Sequence, residues 1–156
     1  MRFFPTMYKK SIHDIDYRAL KEKGVRCLLF DLDNTIGLID QETLDSKTIQ
    51  LFRRLKKDFA VTIVSNNCNR ARVRAFSLAL DCDSYPCAMK PSTHFLRKTQ
   101  KKYGVSPKEM CFIGDQLMTD IWAANRFGCF SCLVDPLAKK DLKITSVNRF
   151  FENLVL

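Results

Sequence analysis

Short apolar-rich runs, each followed by an amphipathic stretch, set the strongest limit on what this chain can fold into. The runs are 25–30, 59–64, 110–113 and 130–134, with a weaker extended stretch at 83–88. Nearly continuous apolar runs of this length suit strands buried on both faces. Between them the period changes. Leu44, Thr48, Leu51, Phe52 and Leu55 share one stripe of a helix over 45–57, with Arg53, Arg54, Lys56 and Lys57 opposite. A second helix over 69–80 turns Val73, Phe76 and Leu80 inward and Arg70, Arg72 and Arg74 outward. Pro91 at a first helical position, with Ser92, opens a helix that Gly104 stops. A helix over 119–127 ends at Gly128. Weak helical character at 17–23 and a short helix at 146–156 complete the pattern. Strand and helix alternate through five strands. The expectation is an α/β fold: a three-layer αβα sandwich around a mainly parallel five-stranded sheet. The 156 residues carry no repeat and no linker. They are expected to form one domain over 1–156, with 1–24 as an N-terminal extension packed on or near the core.

Composition narrows the partners. Hydrophobic residues at 46% and charged residues at 28% exclude a disordered tail, a fibre or a membrane-embedded chain. Lys plus Arg is 26 against 17 Asp plus Glu, a net charge of +9. That excess favours an anionic partner: nucleic acid, a membrane surface or a phosphorylated substrate. No window approaches the roughly 18 apolar residues of a membrane span. No signal-peptide pattern is visible, so a cytoplasmic protein is expected. The seven cysteines are odd in number and several sit in apolar runs, which favours reduced, buried thiols. Cys129 and Cys132 have CxxC spacing inside a predicted strand, where packing is the simpler role than redox chemistry. A zinc site joining them to Cys82 and Cys87 is the alternative.

The polar groups gather after the strands, where open parallel sheets bind ligands. The first strand ends in Asp31-Leu32-Asp33-Asn34-Thr35 and the second in Ser65-Asn66-Asn67. Lys90-Pro91 follows the third, and Gly114-Asp115-Gln116 the fourth, with Asp120 five residues beyond Asp115. Each fragment alone is an ordinary turn or cap. All four in order, each after a buried strand, support phosphoryl transfer. Asp31 can attack phosphorus as a carboxylate. Asp33 can protonate the leaving oxygen and then activate water. A phosphate dianion repels carboxylates, so a divalent cation is required between them. Mg²⁺ suits an oxygen set of Asp31, the Asp33 carbonyl, Asp115 and Asp120. Ser65 can donate to a phosphoryl oxygen, and Lys90 offsets developing charge and restrains Asp31. Thr35 and Asn66 stand beside these groups as further candidates for substrate contact. His13 and His94 are not needed, and Trp122 is expected to pack.

This order resembles the haloacid dehalogenase (HAD) superfamily of phosphatases. Asp31 to Thr35 match its first motif, Ser65 its second, Lys90 its third, and Gly114-Asp115 through Asp120 its fourth. The resemblance implies a Rossmann-like sheet of order 5-4-1-2-3, Mg²⁺ and an aspartyl phosphate at Asp31. Stretches 37–64 and 68–89 are consumed by core elements, leaving no room for a large cap. The chain is similar to subclass IIIA and its YqeG-type branch, through Lys10 to Asp16, Ser65-Asn66-Asn67, Gly114 to Asp120, Asn125-Arg126 and Asn148-Arg149. That branch is similar to phosphatidylglycerophosphate phosphatases, which implies hydrolysis of that phospholipid to phosphatidylglycerol.

A capless site would admit a bulky phosphate on a membrane. Arg2, Lys9 and Lys10 beside Phe3, Phe4, Met7 and Tyr8 form a candidate peripheral contact with an anionic membrane. The alternative is that they cover the sheet edge or are solvated. Two other functions compete: a phosphatase of soluble nucleotides, sugar phosphates or phosphoproteins, and a non-catalytic RNA or protein interaction module. Against nucleic acid, the basic residues scatter over several helices rather than one surface.

Overall fold

A computed structural model describes residues 3–138; the expected helix at 146–156, Asn148-Arg149 and Arg2 lie outside the described residues. Six strands form one sheet: β1 (Met7–Lys9), β2 (Cys27–Asp31), β3 (Ala60–Val64), β4 (Asp83–Tyr85), β5 (Met110–Gly114) and β6 (Phe130–Val134). The order is β1-β6-β5-β2-β3-β4, and every pairing is parallel. The expected five strands keep their predicted order. The correction is a sixth at the edge, where Met7, Tyr8 and Lys9 pair with Cys132, Leu133 and Val134. Three residues with one apolar face carry too little periodicity to announce a strand; the open edge of β6 supplies the hydrogen bonds that fix it.

Helices α1 (Tyr17–Glu22), α2 (Ser46–Leu55), α3 (Arg70–Leu80), α4 (His94–Tyr103) and α5 (Trp122–Phe127) cover the sheet. Their caps explain their bounds. The Asp45 carboxylate accepts the Thr48 N–H at 2.8 Å, and Asn69 Oδ1 accepts that of Arg72 at 3.2 Å. Gly128 ends α5 at φ 92°, where a side chain would be strained. The apolar stripes face inward as expected: Leu51, Phe52 and Leu55 of α2 and Val73, Phe76 and Leu80 of α3 are buried. They meet Leu28, Phe30 and Ile63 on one side of the sheet. Leu29, Phe112, Phe95 and Leu96 form the core of the other side. Ile12, Ile15 and Leu20 join the first core, so the N-terminal segment is packed.

Three local expectations are corrected. Pro91 does not begin a helix: the Lys90–Pro91 peptide is cis and α4 starts at His94. Those intervening residues form the turn that carries Lys90 inward. The helix expected over 119–127 starts as an α-helix only at Trp122, because a π-helical turn takes Leu117–Ile121, a wider winding often found at functional sites. Cys68 and Cys87 are joined by a disulfide rather than reduced. Cys68 sits in an exposed loop outside any apolar run, so the packing argument never applied to it. It does hold for Cys27, Cys111, Cys129 and Cys132, which are free and buried. Burial pushes the thiols of Cys129 and Cys132 up to about 12, which keeps them protonated and unreactive. With Cys87 bonded to Cys68, the four-cysteine zinc set is not assembled.

Candidate active site

Because all six strands run in parallel, their carboxyl ends share one edge, and the polar loops converge there. Asp31 ends β2, Ser65 follows β3, Lys90 follows β4 and Asp115 follows β5. Lys90 is the hub. Its ammonium donates to Asp31 Oδ1 at 2.6 Å, to Asp120 Oδ1 at 2.6 Å and to the Val64 carbonyl at 3.3 Å. The Thr35 hydroxyl lies within hydrogen-bond reach of Asp31 Oδ2 (3.3 Å) and Asp115 Oδ1 (3.1 Å). One carboxylate oxygen from each of Asp31, Asp115 and Asp120 falls within 4.8 Å of the others, and among the described residues this is the one such cluster.

The cluster is electrostatically unbalanced. Burial raises Asp31 from 3.8 to about 7; Lys90 pulls it down and Asp115 pushes it up. Burial likewise raises Asp120 to about 6, with Asp31 adding to the rise and Lys90 opposing it. Asp115 is raised by burial and by Asp120. For Lys90, burial works against the charge, but Asp120 and Asp31 outweigh it and hold the ammonium above its usual range. Three carboxylates face one ammonium, so full ionisation leaves two negative charges uncompensated. A divalent cation fits that deficit, and an all-oxygen donor set suits Mg²⁺.

Local structure explains the placement. Asn34 takes φ 63°, a conformation tolerated by Asn, and its N–H reaches the Gly37 carbonyl at 2.7 Å. That turn brings Thr35 back over Asp31. The Asn66 amide brackets Lys90, accepting its N–H at 2.7 Å and donating to its carbonyl at 3.1 Å. Asn66 therefore touches the Lys90 backbone, whereas sequence reasoning placed it on the substrate. Ser65 is buried, and its hydroxyl oxygen accepts the Asn67 N–H at 3.0 Å. The π-turn lets Asp120 Oδ2 accept the Gln116 N–H at 3.2 Å, which points Asp120 back at Lys90.

Gly114 is what lets Asp120 come so close. A Cβ there would stand 2.6 Å from the Asp120 Cβ and overlap its carboxylate. Gly114→Ala is therefore expected to displace Asp120 from Lys90. It should lower stability by about 2 kcal/mol, as overpacking does, and weaken Mg²⁺ binding. Urea unfolding with and without Mg²⁺ checks both effects; unchanged values in both would remove the steric argument.

Asp33 stands apart from the carboxylate cluster. Its Oδ1 receives Arg72 Nη2 at 2.9 Å and its Oδ2 receives Asn67 Nδ2 at 3.4 Å. The Asp33 carbonyl accepts no hydrogen bond among the described residues. Arg72 was expected to be a solvated outward charge. Instead it is largely buried, lies over the Phe76 ring and also grips the Gln41 and Leu38 carbonyls at 2.6 and 2.8 Å. Arg72 and Asn67 are the site residues that sequence reasoning missed. The available signal was position: Arg72 lies in the first turn of a helix that starts at the catalytic edge. Arg72→Gln is expected to cost about 2 kcal/mol, since charged hydrogen bonds are lost around a half-buried carboxylate. It should also lower kcat by about 10- to 100-fold through misplacement of Asp33. Arg72→Lys should not rescue kcat, because an ammonium cannot reproduce the guanidinium fork.

An Asp-x-Asp pair at the end of the first core strand, a Lys-bound acidic cluster and a parallel sandwich with no inserted cap among the described residues define a HAD-type phosphatase. The comparisons agree. Residues 87–138 match a HAD-hydrolase-like family model. The chain is 36% identical over 155 residues to the probable phosphatase YqeG of Bacillus subtilis strain 168, covering 99% of this chain and 90% of that one. It therefore belongs to the YqeG family of HAD-type phosphatases. It is also 23% identical over 146 residues to the chloroplastic/mitochondrial phosphatidylglycerophosphate phosphatase 1 of Arabidopsis thaliana, covering 88% of this chain but 42% of that longer relative. A HAD phosphatase from Thermococcus onnurineus shares the fold, with a TM-score of 0.60 at 14% identity over 81% of this chain and 97% of that one.

Proposed function

We propose that this phosphatase is Mg²⁺-dependent, acts through an aspartyl phosphate on Asp31, and takes phosphatidylglycerophosphate as its substrate. The observation that carries the reading is the buried cluster of Asp31, Asp115 and Asp120 around Lys90. Asp31, Asp115 and Asp120 would hold the cation together with the Asp33 carbonyl. Bound there, Mg²⁺ supplies positive charge for the phosphoryl oxygens and favours ionised Asp31. The lipid substrate is supported by the phosphatidylglycerophosphate phosphatase named among the relatives and by the lack, among the described residues, of any element inserted as a cap between the core strands and helices.

In the first step an Asp31 carboxylate oxygen attacks phosphorus and the bond to the leaving oxygen breaks. Asp33, held in place by Arg72 through Oδ1, carries a proton and gives it to that oxygen. In the second step Asp33 takes a proton from water. The resulting hydroxide attacks phosphorus, the bond to Asp31 breaks and phosphate leaves. Ser65 keeps its hydroxyl hydrogen for a phosphoryl oxygen, and Lys90 steadies Asp31 throughout.

A phosphate-release assay tests the reading with phosphatidylglycerophosphate, glycerol 3-phosphate and nucleotides. Turnover is expected to need Mg²⁺, to stop with EDTA and to favour the phospholipid. Turnover of the soluble esters alone would overturn the lipid assignment, and full activity in EDTA would overturn the metal.

A further inference from the structure

We infer that the catalytic edge is itself a membrane-docking surface, which seats the protein on an anionic phospholipid bilayer with the Asp31 mouth facing the lipid headgroups. The inference rests on the lipid reading above and adds the surface that makes it workable. Among the described residues eight large apolar side chains are exposed, and five belong to the loops and the π-turn at this one edge. They are Leu38 (38% exposed), Ile39 (47%), Met89 (71%), Met118 (60%) and Leu137 (46%).

Four of the five adjoin a site residue along the chain or through a hydrogen bond, and Ile39 follows Leu38. The Leu38 carbonyl receives Arg72, which also holds Asp33. Met89 precedes Lys90, and Met118 lies between Asp115 and Asp120. The Leu137 N–H donates to the Asn34 carbonyl at 2.9 Å. An exposed apolar surface beside polar site loops costs solubility in water and gains free energy once inserted between lipids. A soluble phosphate ester would have no use for it.

Charge favours an anionic bilayer. On the β4 side, Arg70 and Lys98 line a cavity of about 480 Å³ with Met89, and no carboxylate lines it. Neither cation has an ion-pair partner among the described residues. The cavity wall is one backbone away from the site, because Tyr85 and Ala88 hydrogen-bond the Ser65 main chain. Lys10 leaves β1 at the same edge, where its carbonyl accepts the Asp135 N–H. Asp40 and Glu42 follow Ile39, so the attraction to anionic headgroups comes from the Arg70, Lys98 side of the mouth. The N-terminal aromatics belong elsewhere. Phe3 packs on Trp122, and Phe4 lines a cavity with Lys108, Gly128 and Cys129, which lead into β5 and β6 at the opposite edge.

Co-sedimentation with vesicles of phosphatidylcholine, alone or mixed with phosphatidylglycerol, tests the inference. The wild-type chain should partition onto mixed vesicles and be released by salt. Ile39→Ser/Met118→Ser/Leu137→Ser should weaken that partition by about tenfold or more. Arg70→Gln/Lys98→Gln should remove the preference for the anionic vesicles. Phe3→Ser/Phe4→Ser should change nothing. All variants should hydrolyse p-nitrophenyl phosphate at the wild-type rate, which shows that they are folded. Wild-type partition by the Ile39, Met118 and Leu137 variant, or no wild-type partition at all, would overturn docking. Docking without phosphatidylglycerophosphate turnover would overturn the substrate reading alone. Turnover of the detergent-dispersed lipid without vesicle binding would overturn docking alone.

Discussion

Asp31→Asn should abolish phosphate release while leaving the fold intact. The amide keeps the shape of the side chain and can still accept from Lys90, yet it cannot attack phosphorus. No other carboxylate replaces it: Asp115 and Asp120 lie in the same cluster, but their loops follow β5 rather than β2. Loss of a covalent nucleophile typically costs about 10⁴-fold or more in kcat. A soluble monoester with Mg²⁺ is the suitable assay, because it separates chemistry from lipid access. Activity within tenfold of wild type would remove Asp31 as nucleophile. Stability should move the opposite way. Burial raises Asp31 from 3.8 to about 7 and Asp120 to about 6. Between those limits the folded metal-free protein binds more protons than the unfolded chain, so stability falls as pH rises from about 4 to about 7. Asp31→Asn removes one of these groups and should flatten that fall. Thermal melts across this range, without Mg²⁺, give the sign.

The fold was legible because buried parallel strands write themselves as apolar runs. Leu28 to Phe30 and Cys111 to Ile113 are buried on both sides and need no periodicity to be recognised. β1 was not legible, since Met7–Lys9 acquires its structure from the open edge of β6. Within the site, spacing along the chain identified Asp31, Asp33, Ser65, Lys90, Asp115 and Asp120 as groups leaving strand ends. It could not show that Asp33 turns away from the other carboxylates to Arg72, because that contact joins positions 39 apart in sequence. Nor could it show that the Asn66 amide is spent on the Lys90 backbone. Gly114 is a third case. Its meaning is steric and appears only when Asp120 folds back over it.

Lys90→Met should be the most destabilising single change at the site, and the loss should depend on pH and on metal. The Lys90 side chain is almost wholly buried and neutralises two carboxylates at once, each at 2.6 Å. Methionine keeps much of the volume and the apolar stem, so cavity formation is small and the electrostatic effect stands out. Removing one partner of a buried pair leaves an uncompensated charge and costs about 3–5 kcal/mol. For a domain of this size that lowers Tm by about 10 °C or more. The sign with pH follows from the carboxylates. At pH 8 Asp31 and Asp120 are ionised and repel each other with no cation between them. At pH 5 both are largely protonated in the wild-type site, and without Lys90 they hold their protons more tightly still. The difference in Tm between wild type and variant should therefore be large at pH 8 and small at pH 5. Mg²⁺ should recover part of the loss at pH 8, because it supplies the missing positive charge to the same oxygens. It should not recover kcat, which falls by about 10²- to 10³-fold when a preorganised cation is removed. A loss of stability equal at both pH values would mean that Lys90 acts by packing, over the Phe112 ring 5.5 Å away, and not by charge.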